Sequence, residues 1–201
     1  AAAAERFGGY LATGTDWDRT SVSCGLLSTH VERALRLIGE VVGTPTLPDD
    51  ELERLRDRTL SEIRRRSVVP SSLASLRFAR ALYGDHVFGA PILGTPGSVG
   101  AIGRADVERF YRRQVVAAPM HLIVAGAVDP SRVLRLAADA LAGLPREPEV
   151  TADLEPAAAH SSTRVFLVDR PDAAQTELRV GHFGVPRTHP DFTPLTVMNS
   201  L

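Results

Sequence analysis

The chain has 201 residues, 44% apolar and 23% charged, the makeup of a folded globular protein with enough length to bury a core rather than of a disordered one. A formal net charge of −1 gives no general attraction to nucleic acid or to an anionic membrane surface, and no apolar run approaches the roughly 20 residues that cross a bilayer. All 23 basic residues are arginine, which with the abundance of Ala, Gly and Pro reads as the codon bias of a GC-rich bacterial genome. The single Cys24 reads as a small buried hydrophobe, without thiol chemistry. The first residues lack the basic-then-apolar order of a signal peptide, and both ends read as trimmed: the chain opens on Ala1 and stops at Leu201 in mid-pattern.

Residues 10–27 carry Thr, Val, Trp and Tyr in loose alternation around Gly14-Thr15-Asp16, which predicts two short antiparallel strands joined as a hairpin. From Val31, the residues Ala34, Leu35, Ile38, Val41 and Val42 fall on one face of a helix that Gly43 and Pro45 end. Asp49 or Asp50 caps a second helix running to about Arg66, with Leu52, Leu55, Thr59 and Ile63 on one face and arginines on the others. Pro70-Ser71 opens a third helix through Leu82, and residues 84–97, with four glycines and two prolines, read as a loop. Asp106, Val107, Phe110 and Tyr111 mark a fourth helix. Residues 120–125 are an apolar run fit for a buried strand, followed by a helix that Asp129-Pro130 opens and Gly143 closes. Residues 146–162 lack apolar periodicity and read as an interdomain linker, after which 163–169 and 175–183 predict a second strand pair.

Three stretches carry a resemblance. Tyr83-Gly84-Asp85-His86-Val87-Phe88-Gly89-Ala90-Pro91 with Gly94-Thr95 is followed in order by the helix around Asp106 and Phe110 and by the strand and turn at 122–129. Val168-Asp169-Arg170-Pro171, Gln175, Gly181, Pro186-Arg187, Pro190-Asp191 and Asn199 form a second set, and Gly8-Gly9-Tyr10-Leu11-Ala12-Thr13-Gly14-Thr15 a third. Together they resemble an internal piece of the insulinase, pitrilysin and mitochondrial-processing-peptidase family. The resemblance implies an α+β fold, an antiparallel sheet covered by helices and repeated in tandem. Residues 1–145 would be the remainder of a first peptidase-like domain, 146–162 the linker and 163–201 the beginning of a second. It implies zinc in the intact family enzyme, extended or unfolded peptides as substrates, and a homologous subunit as partner in a homodimer or heterodimer. Peptides would dock by strand addition on the edge strand containing Ala12, Thr13 and Thr15, whose backbone hydrogen bonds are indifferent to sequence.

A zinc hydrolase needs three protein ligands, an open position for water and a carboxylate base. The family takes two histidines and the base from HxxEH on one helix. No two of the six histidines here are four residues apart, so no helix presents two on one face. By position, Glu62 matches the family's third zinc ligand; read from its neighbours alone, it is a helix carboxylate pairing with Arg58, Arg65 or Arg66. Leu55 stands where a supporting Glu is common, Ala12 where a substrate-binding Asn is usual, Val87 where the loop has Pro, and Ala117 and Pro119 where Pro and Asn are usual. His86 beside Asp85 reads as a structural hydrogen-bonding residue, and His182 and His189 as ordinary surface. The resemblance therefore implies a metal-free subunit or half of a peptide-processing assembly, with no catalytic residue and no zinc of its own. Two alternatives stand beside it: an active zinc endopeptidase whose HxxEH helix lies upstream of residue 1, and a structural core-type subunit without peptidase activity. The cytoplasm is the default compartment for a bacterial parent.

Overall fold

The computed structural model describes residues 2–17, 19–115, 120–145, 157, 161–171 and 173–200. The alternation of residues 10–27 does produce a hairpin. Strands β1 (Tyr10–Thr15) and β2 (Thr20–Gly25) run antiparallel, with Tyr10 opposite Gly25 and Thr15 opposite Thr20. Asp16 closes the turn by accepting from the Arg19 backbone N–H at 3.0 Å and from its Nε at 2.9 Å. The Tyr10 ring lies over Gly25, where a Cβ would meet it at 2.4 Å, so a larger residue there would push the ring aside. Cys24 on β2 is half-buried and its thiol is pushed up by desolvation, in keeping with a packing role.

Eight helices are described: α1 (Ala2–Glu5), α2 (Val31–Gly43), α3 (Asp49–Val68), α4 (Pro70–Tyr83), α5 (Pro96–Ala101), α6 (Arg104–Gln114), α7 (Pro130–Ala140) and α8 (Phe192–Met198). The fold is thus mixed α and β, dominated by helix, with α1 and α2 packed on the small antiparallel sheet. The chain divides into two units, Ala1–Leu60 with Pro96–Leu154, and Ser61–Thr95 with Glu155–Leu201.

The core of the first unit lies between α2 and α7. Leu35, Val133 and Ala137 are buried together, flanked by Val31, Val128, Leu136 and Ala140. Gly39 lets the helices approach: a Cβ there would sit 2.4 Å from the Ala140 carbonyl oxygen. Helix α7 begins as its sequence predicts, with Pro130 in the first turn and the Asp129 carboxylate accepting from the Arg132 N–H at 3.1 Å. The Tyr111 hydroxyl on α6 lies 2.7 Å from each of the Val42 and Gly43 carbonyls, supplying a donor to the end of α2 where helical carbonyls have no partner of their own.

In the second unit, the loop after α4 is held from several sides. Gly84 adopts φ 58° at the helix end, its carbonyl accepts from Arg80 at 2.7 Å, and Arg80 also pairs with Asp85. His86 Nδ1 accepts from the Phe88 N–H at 3.3 Å, the structural role read from sequence. The Tyr83 ring meets Phe88 and Phe183 edge-on, with centroids 5.7 and 5.3 Å away. The extended chain is tied to α4 by Arg179 Nε donating to Ser75 Oγ at 3.3 Å, and by Gly181, where a Cβ would sit 2.9 Å from the Phe78 ring.

Several expectations need correction. Residues 120–125 form no strand, and Ile123 is 89% exposed; likewise 163–169 and 175–183 form no strand pair, with Val165 90% and Leu167 92% exposed. The apolar pattern of these runs is suited to a sheet, but a strand exists only through hydrogen bonds to a neighbour, and among the described residues the sole ladder is β1 with β2. The predicted loop 84–97 ends early, because Pro96 opens α5. On α3 one position of the expected inward face departs: Leu52, Thr59 and Ile63 are half-buried, but Leu55 is 56% exposed. Arg56, with only 18% of its side chain exposed, turns in to donate to Glu53 and to the Ile102 carbonyl. Helices α1 and α8 are further additions to the sequence reading. The linker expected at 146–162 lies outside the described residues except for positions 157, 161 and 162, as do Ala117 and Pro119.

Candidate functional site

Glu62 lies in the last two turns of α3, with 28% of its side chain exposed. Helical spacing places Arg65 and Arg66 one turn on, and both turn back to it. Arg65 Nε donates to Oε2 at 2.8 Å, while Arg65 Nη2 and Arg66 Nε each donate to Oε1 at 2.7 Å. These charge-assisted bonds, Arg65's first and then Arg66's, hold the Glu62 carboxyl down at about 2. Of the three arginines that the sequence offers Glu62, the two C-terminal to it are therefore its partners.

The residues expected to bind substrate lie on β1. Ala12, Thr13 and Thr15 stand opposite Ser23, Val22 and Thr20, and all three are exposed. The Thr15 and Thr20 hydroxyls are 3.4 Å apart, and Ser21 Oγ donates to the Gly14 carbonyl at 3.4 Å. Among the described residues β1 is paired only on the β2 side, so its other edge presents backbone donors and acceptors. His182 and His189 serve local contacts: His182 Nδ1 donates to the Phe183 carbonyl at 2.6 Å, and His189 Nδ1 accepts from the Asp191 N–H at 3.2 Å.

Residues 101–201, half of the chain, match the family model described as the peptidase M16 inactive domain. The chain belongs to the M16 peptidase family. Among its M16 relatives is an uncharacterized zinc protease of Mycobacterium leprae, 33% identical over 136 residues, which make up 68% of this chain and 31% of the relative. Another is the β subunit of the mitochondrial-processing peptidase of Blastocladiella emersonii, 23% identical over 197 residues, or 98% of this chain and 42% of that one. The crystal structure of a peptidase M16 inactive domain from Pseudomonas fluorescens superimposes with a TM-score of 0.66 at 27% identity, over 79% of this chain and 39% of the other. The chain spans less than half the length of these M16 relatives.

Zinc is the metal named for such M16 proteases. Of the ligands the family reading requires, this chain offers Glu62, whose two oxygens are engaged by arginines. No group of three His, Cys, Asp or Glu side chains gathers at metal-binding distance among the described residues. This donor set does not fit a catalytic zinc centre. None of the described helices is long and apolar enough to cross a membrane.

Sequence reasoning identified the loop, the hairpin and Glu62. It missed a groove of about 350 Å³ bordered by Arg6, Phe7, Arg33, Arg36, Leu37 and Glu40. A signal for it exists: Arg6 and Arg33 have no acidic residue three or four positions away, unlike Arg36 with Glu32 and Glu40.

Proposed function

We propose that this chain serves the metal-free half of a peptide-processing assembly, presenting the open edge of β1 to an extended peptide while a homologous M16 subunit supplies the zinc chemistry. The observation that carries this reading is the state of Glu62, engaged at both oxygens by Arg65 and Arg66 in a chain without two histidines four apart. The match to an inactive domain and the processing-peptidase β subunit among the relatives support it. In this reading residues 1–145 are the remainder of one peptidase-like domain, 163–201 open the next, and the protein works in the cytoplasm.

Ala12, Thr13 and Thr15 would border the docked peptide, whose backbone adds to β1 as a third strand. The test is binding of a labelled extended peptide, compared with the same peptide methylated at alternate backbone nitrogens. Strand addition predicts at least about a tenfold loss on methylation, because each lost N–H removes a ladder bond. Equal binding of the two peptides would defeat the proposal.

A second reading is favoured by the zinc-protease relatives, which are more than twice as long as the matched region. In it, Glu62 is released from its arginines to complete a zinc site with an upstream HxxEH helix. A structural subunit, the third reading, predicts a stable partner and no peptide binding.

A further inference from the structure

The groove between α1 and α2 is bordered by three arginines, Arg6, Arg33 and Arg36. Arg54, Arg56, Arg65 and Arg66 on α3 and Arg104 and Arg109 on α6 each meet a carboxylate close by on the same helix. Arg6 and Arg33 have no carboxylate at ion-pair distance among the described residues, yet they border the same groove. Arg33 also sits in the first turn of α2, where the helix dipole disfavours a cation and favours an anion.

The groove is organised before any ligand arrives. The Arg33 guanidinium lies 3.9 Å from the centre of the Phe7 ring, and Phe7 is in turn fixed edge-on against His30 with centroids 5.1 Å apart. Arg36 is held by Glu32 at 3.0 Å. Phe7 and Leu37 add apolar surface, so the walls combine cations with hydrocarbon. Glu40, seven residues beyond Arg33, lies about 10 Å farther along the helix axis and marks the opposite electrostatic end.

We propose that this groove is a docking site for an acidic peptide segment, a carboxylate side chain resting against Arg6 and Arg33 with a neighbouring apolar side chain on Phe7 and Leu37. Charge complementarity selects this occupant: with Arg36 already held by Glu32, the guanidiniums of Arg6 and Arg33 outnumber the carboxylate of Glu40 and disfavour a basic segment. The site is separate from the β1 edge, and its binding depends on side-chain charge rather than on backbone pairing.

The probe is a short fluorescein-labelled peptide of alternating Glu and Leu, with a Gln-Leu counterpart, followed by fluorescence anisotropy. The Glu peptide should bind at least about tenfold more tightly than the Gln peptide, and its affinity should fall as salt rises from about 50 to 300 mM. R6Q/R33Q should lose that preference while keeping the parent's circular dichroism. R33K, which retains charge but loses the planar fork, should bind with intermediate affinity. Methylating alternate backbone nitrogens of the Glu peptide should leave its affinity unchanged, which separates this groove from β1. Equal binding of the Glu and Gln peptides, affinity indifferent to salt in the parent protein, or loss of binding on backbone methylation would each overturn the proposal.

Discussion

Glu62 and its two arginines form a local charge cluster whose consequences can be read from its titration. Its carboxyl lies at about 2 in the folded protein, against 4.5 for an unperturbed glutamate. A lowered folded value means that the ion pairs contribute fully above 4.5, and that this contribution is lost as pH falls toward 2. The stability difference between the parent protein and Glu62→Gln should therefore be constant near neutrality and shrink across that window, as urea unfolding at several pH values would reveal. A difference that does not change with pH would mean that Arg65 and Arg66 do not engage Glu62 in solution. Tyr111 makes a different kind of contribution, since its half-buried hydroxyl is a donor to the carbonyls at the end of α2. Burial raises its phenol above the ordinary value. Tyr111→Phe should cost about 1–2 kcal/mol by leaving those carbonyls short of a donor, measured as a shift in the urea midpoint at unchanged slope.

Helices show where sequence reasoning succeeds and where it stops. Helix α2 was legible because its apolar positions, its glycine and the following proline all point to one answer, and α7 because Asp129 and Pro130 form a complete start signal. Helix α3 was legible in extent and, but for one position, in its inward face: Leu52, Thr59 and Ile63 are half-buried, whereas Arg56 reaches the distant Ile102 carbonyl and Leu55 lies in water. No local pattern encodes a partner 46 positions away. Gly39 illustrates the same point from the packing side. Alanine is the better helix former by about 1 kcal/mol, but its Cβ would stand 2.4 Å from a backbone oxygen of α7 that no rotamer change can move. Gly39→Ala should therefore destabilise the first unit by about 1–3 kcal/mol, seen as a lowered thermal midpoint. A stabilised Gly39→Ala would show that α2 and α7 do not approach this closely.

At the scale of the whole molecule, the runs around Ile123, Val165, Leu167, Leu178 and Val180 place large apolar side chains in water. Their apolar pattern suits strands, but the structure forms none there, because the neighbour that a ladder requires is not contained in those residues. Such surfaces favour self-association, so sedimentation velocity at micromolar concentration should show species heavier than the 21.6 kDa monomer. A clean monomer at all concentrations would count against exposure of these runs. The candidate site was legible to the same degree. Position in the helix singled out Glu62 and spacing excluded a histidine pair, whereas the Arg65 and Arg66 rotamers and the groove at Arg33 depend on side-chain placement. The central claim, a metal-free member of a zinc-peptidase family, is tested most directly by the zinc content of the full-length gene product purified without added metal. The account predicts no bound zinc, with or without Glu62→Gln; about one zinc per chain, lost on that substitution, would contradict it.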